Sequence, residues 1–184
     1  MRIALIGQKW LGEQVLRAIG NADTVRIVAA PCREDRLAMA AKTAGIETFT
    51  YGGRGLEDFN LPEGIDLLIT AGSFAYVPPA VRARAKWCIG YHPSLLPLYR
   101  GPRAVEAAIH AGESVTGGTV YHLTDEMDAG DVVFRDWCFI QKGDAPADLW
   151  RRSLAPMGVE LITKAVDHLD GYGFLPSSEQ QSAI

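Results

Sequence analysis

The chain has 184 residues, 48% of them hydrophobic and 22% charged, with a net charge of −4. This is the make-up of one globular domain with a single core, and the negative balance argues against a nucleic-acid backbone as the main partner, which needs a basic face. Three cysteines without Cys-x-x-Cys spacing (Cys32, Cys88, Cys138) fit a reducing compartment and give no zinc signature; with no apolar run of about 18 residues and no signal-peptide pattern, the expected location is cytoplasmic and away from membrane.

Arg2 to Ile6 is a short branched apolar run closed by Gly7, the pattern of a buried parallel strand. Trp10 to Ile19 reads as a helix with Leu11, Val15, Leu16 and Ile19 on one face. Val25 to Ala30 is the next strand, and Arg33 to Ala44 the next helix, stopped by Gly45. A short strand over Glu47 to Tyr51, a loop from Gly52 to Pro62 and a buried strand over Ile65 to Thr70 follow. The alternation β-α-β-α-β predicts an α/β fold: a Rossmann-like, mostly parallel twisted sheet flanked by helices.

Gly7 and Gly12 invite a dinucleotide-binding reading. The fingerprint needs glycine at position 9, which is Lys9, and an acidic residue ending the second strand, where Pro31-Cys32 follows. The plainer reading is a tight strand-to-helix turn that needs backbone room.

Ala71 to Pro79 is an apolar loop leaving the third main strand. One or two helical turns are expected over Val81 to Lys86, then a strand over Trp87 to Tyr91. Pro102 to Ala111 reads as a helix, Thr116 to Thr124 and Val132 to Ile140 as strands. Asp144 and Pro146 start a last helix running to about Leu169, which Pro156 must kink or break. His110, His122 and His168 read as structural histidines. The chain is expected to form one domain over residues 1–171, with 172–184 a loose tail rich in Ser, Gln and Gly.

Two stretches stand out. In Tyr91-His92-Pro93-Ser94-Leu95-Leu96-Pro97, a histidine ends an apolar run and two prolines force a non-helical turn. In Thr124-Asp125-Glu126-Met127-Asp128-Ala129-Gly130-Asp131, the last carboxylate before the glycine, Asp128, lies 36 residues after His92. Alone, each reads as a surface turn.

Together they resemble the 10-formyltetrahydrofolate-dependent formyltransferase family. That family carries Asn-x-His before a Ser-Leu-Leu-Pro turn and an Asp in a Leu-Asp-x-Gly loop at this distance. The resemblance spans nearly the whole chain. Met1-Arg-Ile-Ala-Leu-Ile-Gly-Gln, Ile89-Gly-Tyr-His-Pro-Ser-Leu-Leu-Pro and Gly117-Gly118 look most like one branch, the hydrolase domain of 10-formyltetrahydrofolate dehydrogenase. The family Asn position is Gly90, and in that branch the position also lacks an amide.

The resemblance implies His92 and Asp128 as catalytic residues, with Gly90 at the place of the oxyanion-binding Asn. It implies folate contacts from the backbone of Ala75, Tyr76 and Val77 and from Thr124, Asp125, Glu126 and Met127, so that the Phe74–Val77 and Thr124–Asp131 loops face a folate cleft. It further implies 10-formyltetrahydrofolate as the formyl donor, with no metal. A histidine suits the proton transfers, because its pKa lies near neutral. A carboxylate beside it orients the ring, favours the imidazolium and orders an attacking water. Loss of an oxyanion donor typically costs roughly 10²–10³ in rate, so Gly90 leaves three readings. The acceptor is water, or a small amine, or the chain binds folate with weak or no catalysis. An oxidoreductase on the same fold is the competing class, disfavoured by the glycine spacing.

Overall fold

Branched apolar runs become strands wherever both sheet faces are covered, and the N-terminal half follows that rule. In a computed structural model, residues 1–20, 23–52 and 55–180 are described. Gly53 and Arg54, expected as loop, and residues 181–184 of the expected tail lie outside them. The chain divides into two units, residues 1–90 and 91–184, with no linker sequence at the division, which falls within a strand.

The first unit carries β1 (Ile3–Gly7), α1 (Lys9–Ile19), β2 (Val25–Ala30), α2 (Arg36–Thr43), β3 (Glu47–Thr50), β4 (Ile65–Ala71), α3 (Pro79–Arg82) and most of β5 (Ala85–His92). These strands run in the order β3-β2-β1-β4-β5, all parallel. The register sets Ile3 beside Val25 and Leu67, Ile27 beside Glu47, and Ile65 beside Ala85. β1 is buried along its whole length. This is the α/β class and the mostly parallel sheet that the sequence predicts.

Leu11, Val15, Leu16 and Ile19 of α1 are buried, as their spacing requires. A Cβ on Gly7 would stand 2.7 Å from the Ala71 carbonyl oxygen, and one on Gly12 3.0 Å from Leu37 Cδ2. Close packing accounts for both glycines. α2 begins at Arg36, three residues later than its apolar pattern suggests. Asp35 is its N-cap, and Oδ1 accepts from Leu37 N at 2.9 Å. The same carboxylate accepts the Lys9 amide at 3.1 and 3.0 Å. α3 stops at Arg82, short of the expected Lys86, because Ala85 already pairs with Ile65.

The second unit holds α4 (Ala104–His110), β6 (Val115–His122), β7 (Val132–Phe139), α5 (Pro146–Leu149), a π-helical turn (Trp150–Leu154) and α6 (Ala155–Tyr172). β6 and β7 are antiparallel from Val115–Phe139 to Tyr121–Val132. The register slips between Val120 and Tyr121, leaving Val133 as the extra residue. Pro156 lacks an N–H, and the helix meets that gap by widening into the π turn before α6 resumes. Val105, Leu149 and Leu154 form a core against Ile109, Cys138, Ile140 and Trp150.

Tyr91 is buried, and its hydroxyl donates to the Leu154 carbonyl at 2.6 Å. A Cβ on Gly118 would collide with the hydroxyl oxygen, and one on Gly158 would stand 2.8 Å from ring carbon Cε1. Both glycines make room for this ring. Beyond α6, where the sequence suggests a loose tail, Gly173 closes the helix at φ 78, Leu175 is buried, and Ser178 bridges Val132. None of the described helices is long and apolar enough to cross a membrane.

Candidate functional site

His92 is the last residue of β5, and the chain leaves it through a non-helical turn whose Leu96–Pro97 peptide is cis. The turn fastens itself. Ser94 Oγ donates to Leu98 O at 2.5 Å, and Leu98 N to Leu95 O at 3.0 Å. Thr119 of β6 donates to Ser94 O at 2.7 Å and accepts from Leu96 N at 3.2 Å. The turn then doubles back, and Tyr99, at φ 55, sets its carbonyl 2.8 Å from His92 Nε2.

Asp128 reaches the other side of the imidazole. Its Oδ2 stands 3.4 Å from His92 Nδ1, with both side chains largely buried. That is ion-pair distance, longer than a direct hydrogen bond. Oδ2 also accepts from Gly101 N at 2.8 Å, and Oδ1 from Tyr121 Oη at 2.6 Å. Asp128 itself sits at φ 53, a left-handed conformation uncommon for residues with side chains but tolerated by Asp. Two residues on, a Cβ on Gly130 would overlap the His122 carbonyl, so this loop closes only on glycine.

Both nitrogens of His92 therefore face acceptors. A ring carrying N–H on both nitrogens satisfies the Tyr99 carbonyl and the Asp128 carboxylate together; a neutral ring satisfies one. Tyr121 faces Asp128 as a donor, and its phenol is pushed well above its usual range by burial, then by the Asp128 charge and by the hydrogen bond to it. The slip in β6–β7 pairing falls at Tyr121, the residue that delivers this hydroxyl.

The other expected site residues lie as follows. Gly90 is buried in β5, paired with Thr70, two residues before His92. In the loop after β4, Phe74 and Tyr76 are exposed and Val77 is buried. The Ala75 amide is occupied by Ser73 Oγ at 3.1 Å, and the Val77 carbonyl by Arg82 Nε at 3.2 Å. Thr124, Asp125, Glu126 and Met127 are all exposed, and Thr124 Oγ1 donates to Glu126 O at 3.0 Å. Among the described residues, no group of three or more His, Cys, Asp or Glu could hold a metal ion.

Tyr99, Gly101 and Tyr121 are site residues that the sequence does not announce. Two act through the backbone, which leaves no side-chain trace. The third is a plain aromatic in an apolar strand, beside the more conspicuous His122. Arg100-Gly101, directly after the turn, was the one available signal.

Residues 1–166, reaching into both units, match the family described as Formyl transferase. Over 181 residues the chain is 29% identical to cytosolic 10-formyltetrahydrofolate dehydrogenase from Mus musculus, covering 90% of this chain and 20% of that protein. It thus spans about a fifth of the length of that protein and of its Homo sapiens counterpart. Among solved structures, phosphoribosylglycinamide formyltransferase from Bacillus halodurans superposes with TM-score 0.77 at 20% identity, covering 95% and 97% of the two chains. The N-formyltransferase from Helicobacter canadensis, in complex with folinic acid and dTDP-3-aminofucose, gives TM-score 0.81 at 18% identity, covering 99% of this chain and 68% of that one. At those identities the superpositions speak for the fold, while the match over residues 1–166 speaks for descent: the chain belongs to the formyl transferase family, whose chemistry is formyl transfer with a folate-type substrate.

Proposed function

We propose that this chain removes the formyl group from 10-formyltetrahydrofolate and passes it to water, releasing formate and tetrahydrofolate. The supporting observation is the buried pair of His92 Nδ1 and Asp128 Oδ2 at 3.4 Å. Water adds to the formyl carbon, and the neutral His92 ring takes its proton. The tetrahedral intermediate collapses as the N10–carbon bond breaks, and the imidazolium returns a proton to N10. Asp128 stays on the Nδ1 side throughout, so the travelling proton belongs to Nε2. The ring and the Tyr99 carbonyl must therefore part during turnover. Gly90 brings no amide to the family's Asn position, and in the hydrolase branch it resembles that position also lacks one. The loop residues Ala75, Tyr76 and Val77, and Thr124 to Met127, are assigned to the folate on that same resemblance.

A second reading is transfer to a small amine, supported by the Helicobacter canadensis N-formyltransferase, which binds folinic acid together with dTDP-3-aminofucose. Incubation with 10-formyltetrahydrofolate in the absence of any amine separates the two. Formate released in step with tetrahydrofolate is the expected result. Donor consumed only when an amine is added would transfer the assignment to the second reading. Folate binding without turnover in either assay would leave a binding protein.

A further inference from the structure

Gln180, eight residues beyond the end of α6, uses both ends of its side-chain amide. Nε2 donates to the carbonyl oxygens of Asp128, at 2.8 Å, and of Gly130, at 2.7 Å. Oε1 accepts from Arg100 Nε at 3.1 Å and Nη2 at 2.5 Å. Arg100 directly precedes Gly101, whose amide holds Asp128 Oδ2. One amide thus joins the turn that follows His92 to the bend that carries Asp128. The segment bearing it is itself fastened. His122 Nε2 contacts the Pro176 carbonyl at 2.9 Å, Ser177 Oγ donates to Asp131 Oδ2 at 2.5 Å, and Ser178 exchanges two backbone hydrogen bonds with Val132.

The bend needs such a brace. Asp128 holds φ 53, uncommon for a residue with a side chain though tolerated by Asp better than by most, and the carbonyls of residues 128 and 130 converge to share one nitrogen. A primary amide can donate twice and accept on its oxygen at the same time, whereas a carboxylate of equal length only accepts.

We propose that Gln180 is a positioning residue for the reaction, and that residues 175–180 form a strap holding Asp128 at its working distance from His92. This rests on the reading above that those two residues carry the chemistry. The test uses Gln180→Ala and Gln180→Glu in the full chain. The glutamate keeps the length and the acceptor for Arg100 but turns a carboxylate toward two carbonyl oxygens.

Both variants are expected to lower kcat for formate release about tenfold while KM for 10-formyltetrahydrofolate stays within about twofold, because a misplaced catalytic pair loses rate rather than substrate contact. In an Asp128→Asn background the Gln180 substitutions should cost nothing further, since both act on one unit. The ¹⁵N resonances of the His92 ring should shift in both variants, and this readout needs no turnover. A kcat within about twofold of the parent in Gln180→Glu, or unmoved His92 resonances, overturns the proposal. Should Gln180→Ala fail to fold, the isosteric glutamate variant decides alone. Should the parent turn over no donor, the function assigned above falls, and the ring resonances still judge the strap.

Discussion

The Tyr121 hydroxyl lies 2.6 Å from Asp128 Oδ1, on the carboxylate oxygen that His92 does not face. It leaves Oδ2 to the Gly101 amide and the imidazole. Tyr121→Phe removes a buried donor to a charged acceptor, a bond whose loss is worth about 1.5–3 kcal/mol. The expected outcome is a lower urea midpoint and a slower release of formate at unchanged folate affinity. Parent-like values for both would mean that Asp128 is held well enough by Gly101 alone.

Two buried phenols and a half-buried thiol give the protein a pH-sensitive edge. Burial holds the Cys88 thiol up at about 11, against an ordinary value of 9.0, and pushes the Tyr91 and Tyr121 phenols well above 10.0. These groups keep their protons in the folded state after the unfolded chain has lost them. Their contribution to stability is complete below the unfolded values and is lost as pH rises through about 9 toward the folded ones. Urea midpoints from pH 7 to 11 should fall on the alkaline side, and Tyr121→Phe should flatten the fall. An unchanged slope would show that Tyr121 ionises alike in both states.

His92→Asn should lower turnover by at least about 100-fold while a folate analogue still raises the melting temperature as in the parent. Activity within about threefold of the parent would remove His92 from the proton transfers.

Gly90→Asn places an amide two residues before His92 in the same strand, hence on the same strand face. With water as the natural acceptor, the added side chain should slow formate release. With an amine as acceptor, it should raise formylated amine more than formate. The ratio of the two products is the measurement. An unchanged ratio at unchanged folate affinity would mean that position 90 does not face the reacting group.

The glycines beside Tyr91 allow a sharper packing test. Gly118→Ala and Gly158→Ala should each cost about 1–3 kcal/mol by overpacking. Tyr91→Phe removes the atom nearest the Gly118 Cβ but not the one nearest the Gly158 Cβ. In a Tyr91→Phe background, Gly118→Ala should therefore become cheaper and Gly158→Ala should not. Equal costs in both backgrounds would mean that the ring shifts as a body.

The parallel strands were legible to within two residues, most closely where burial makes a continuous branched run closed by glycine or proline. Helix ends were less so. The Asp35 cap shortens α2, and the start of β5 at Ala85 shortens α3; both depend on distant partners. Pro156 announced a kink or break, and the chain answered with a π turn over Trp150–Leu154 before α6 resumed. In the site, His92 and Asp128 could be paired through the family resemblance that their motifs carry, and the fold brings them together. Tyr99, Gly101 and Gln180 could not be found that way. Two work through peptide groups, and the third is a glutamine in a polar stretch without pattern.

Asp35 carries one more consequence. Its carboxylate sits on the Lys9 amide, at the first turn of α1, where dinucleotide-binding proteins of Rossmann layout seat a phosphate. The protein thus supplies its own resident anion at that helix end. A dinucleotide arriving there would meet a carboxylate already on the Lys9 amide, so evolution of this scaffold toward nicotinamide chemistry would have to begin by evicting an aspartate that also starts α2.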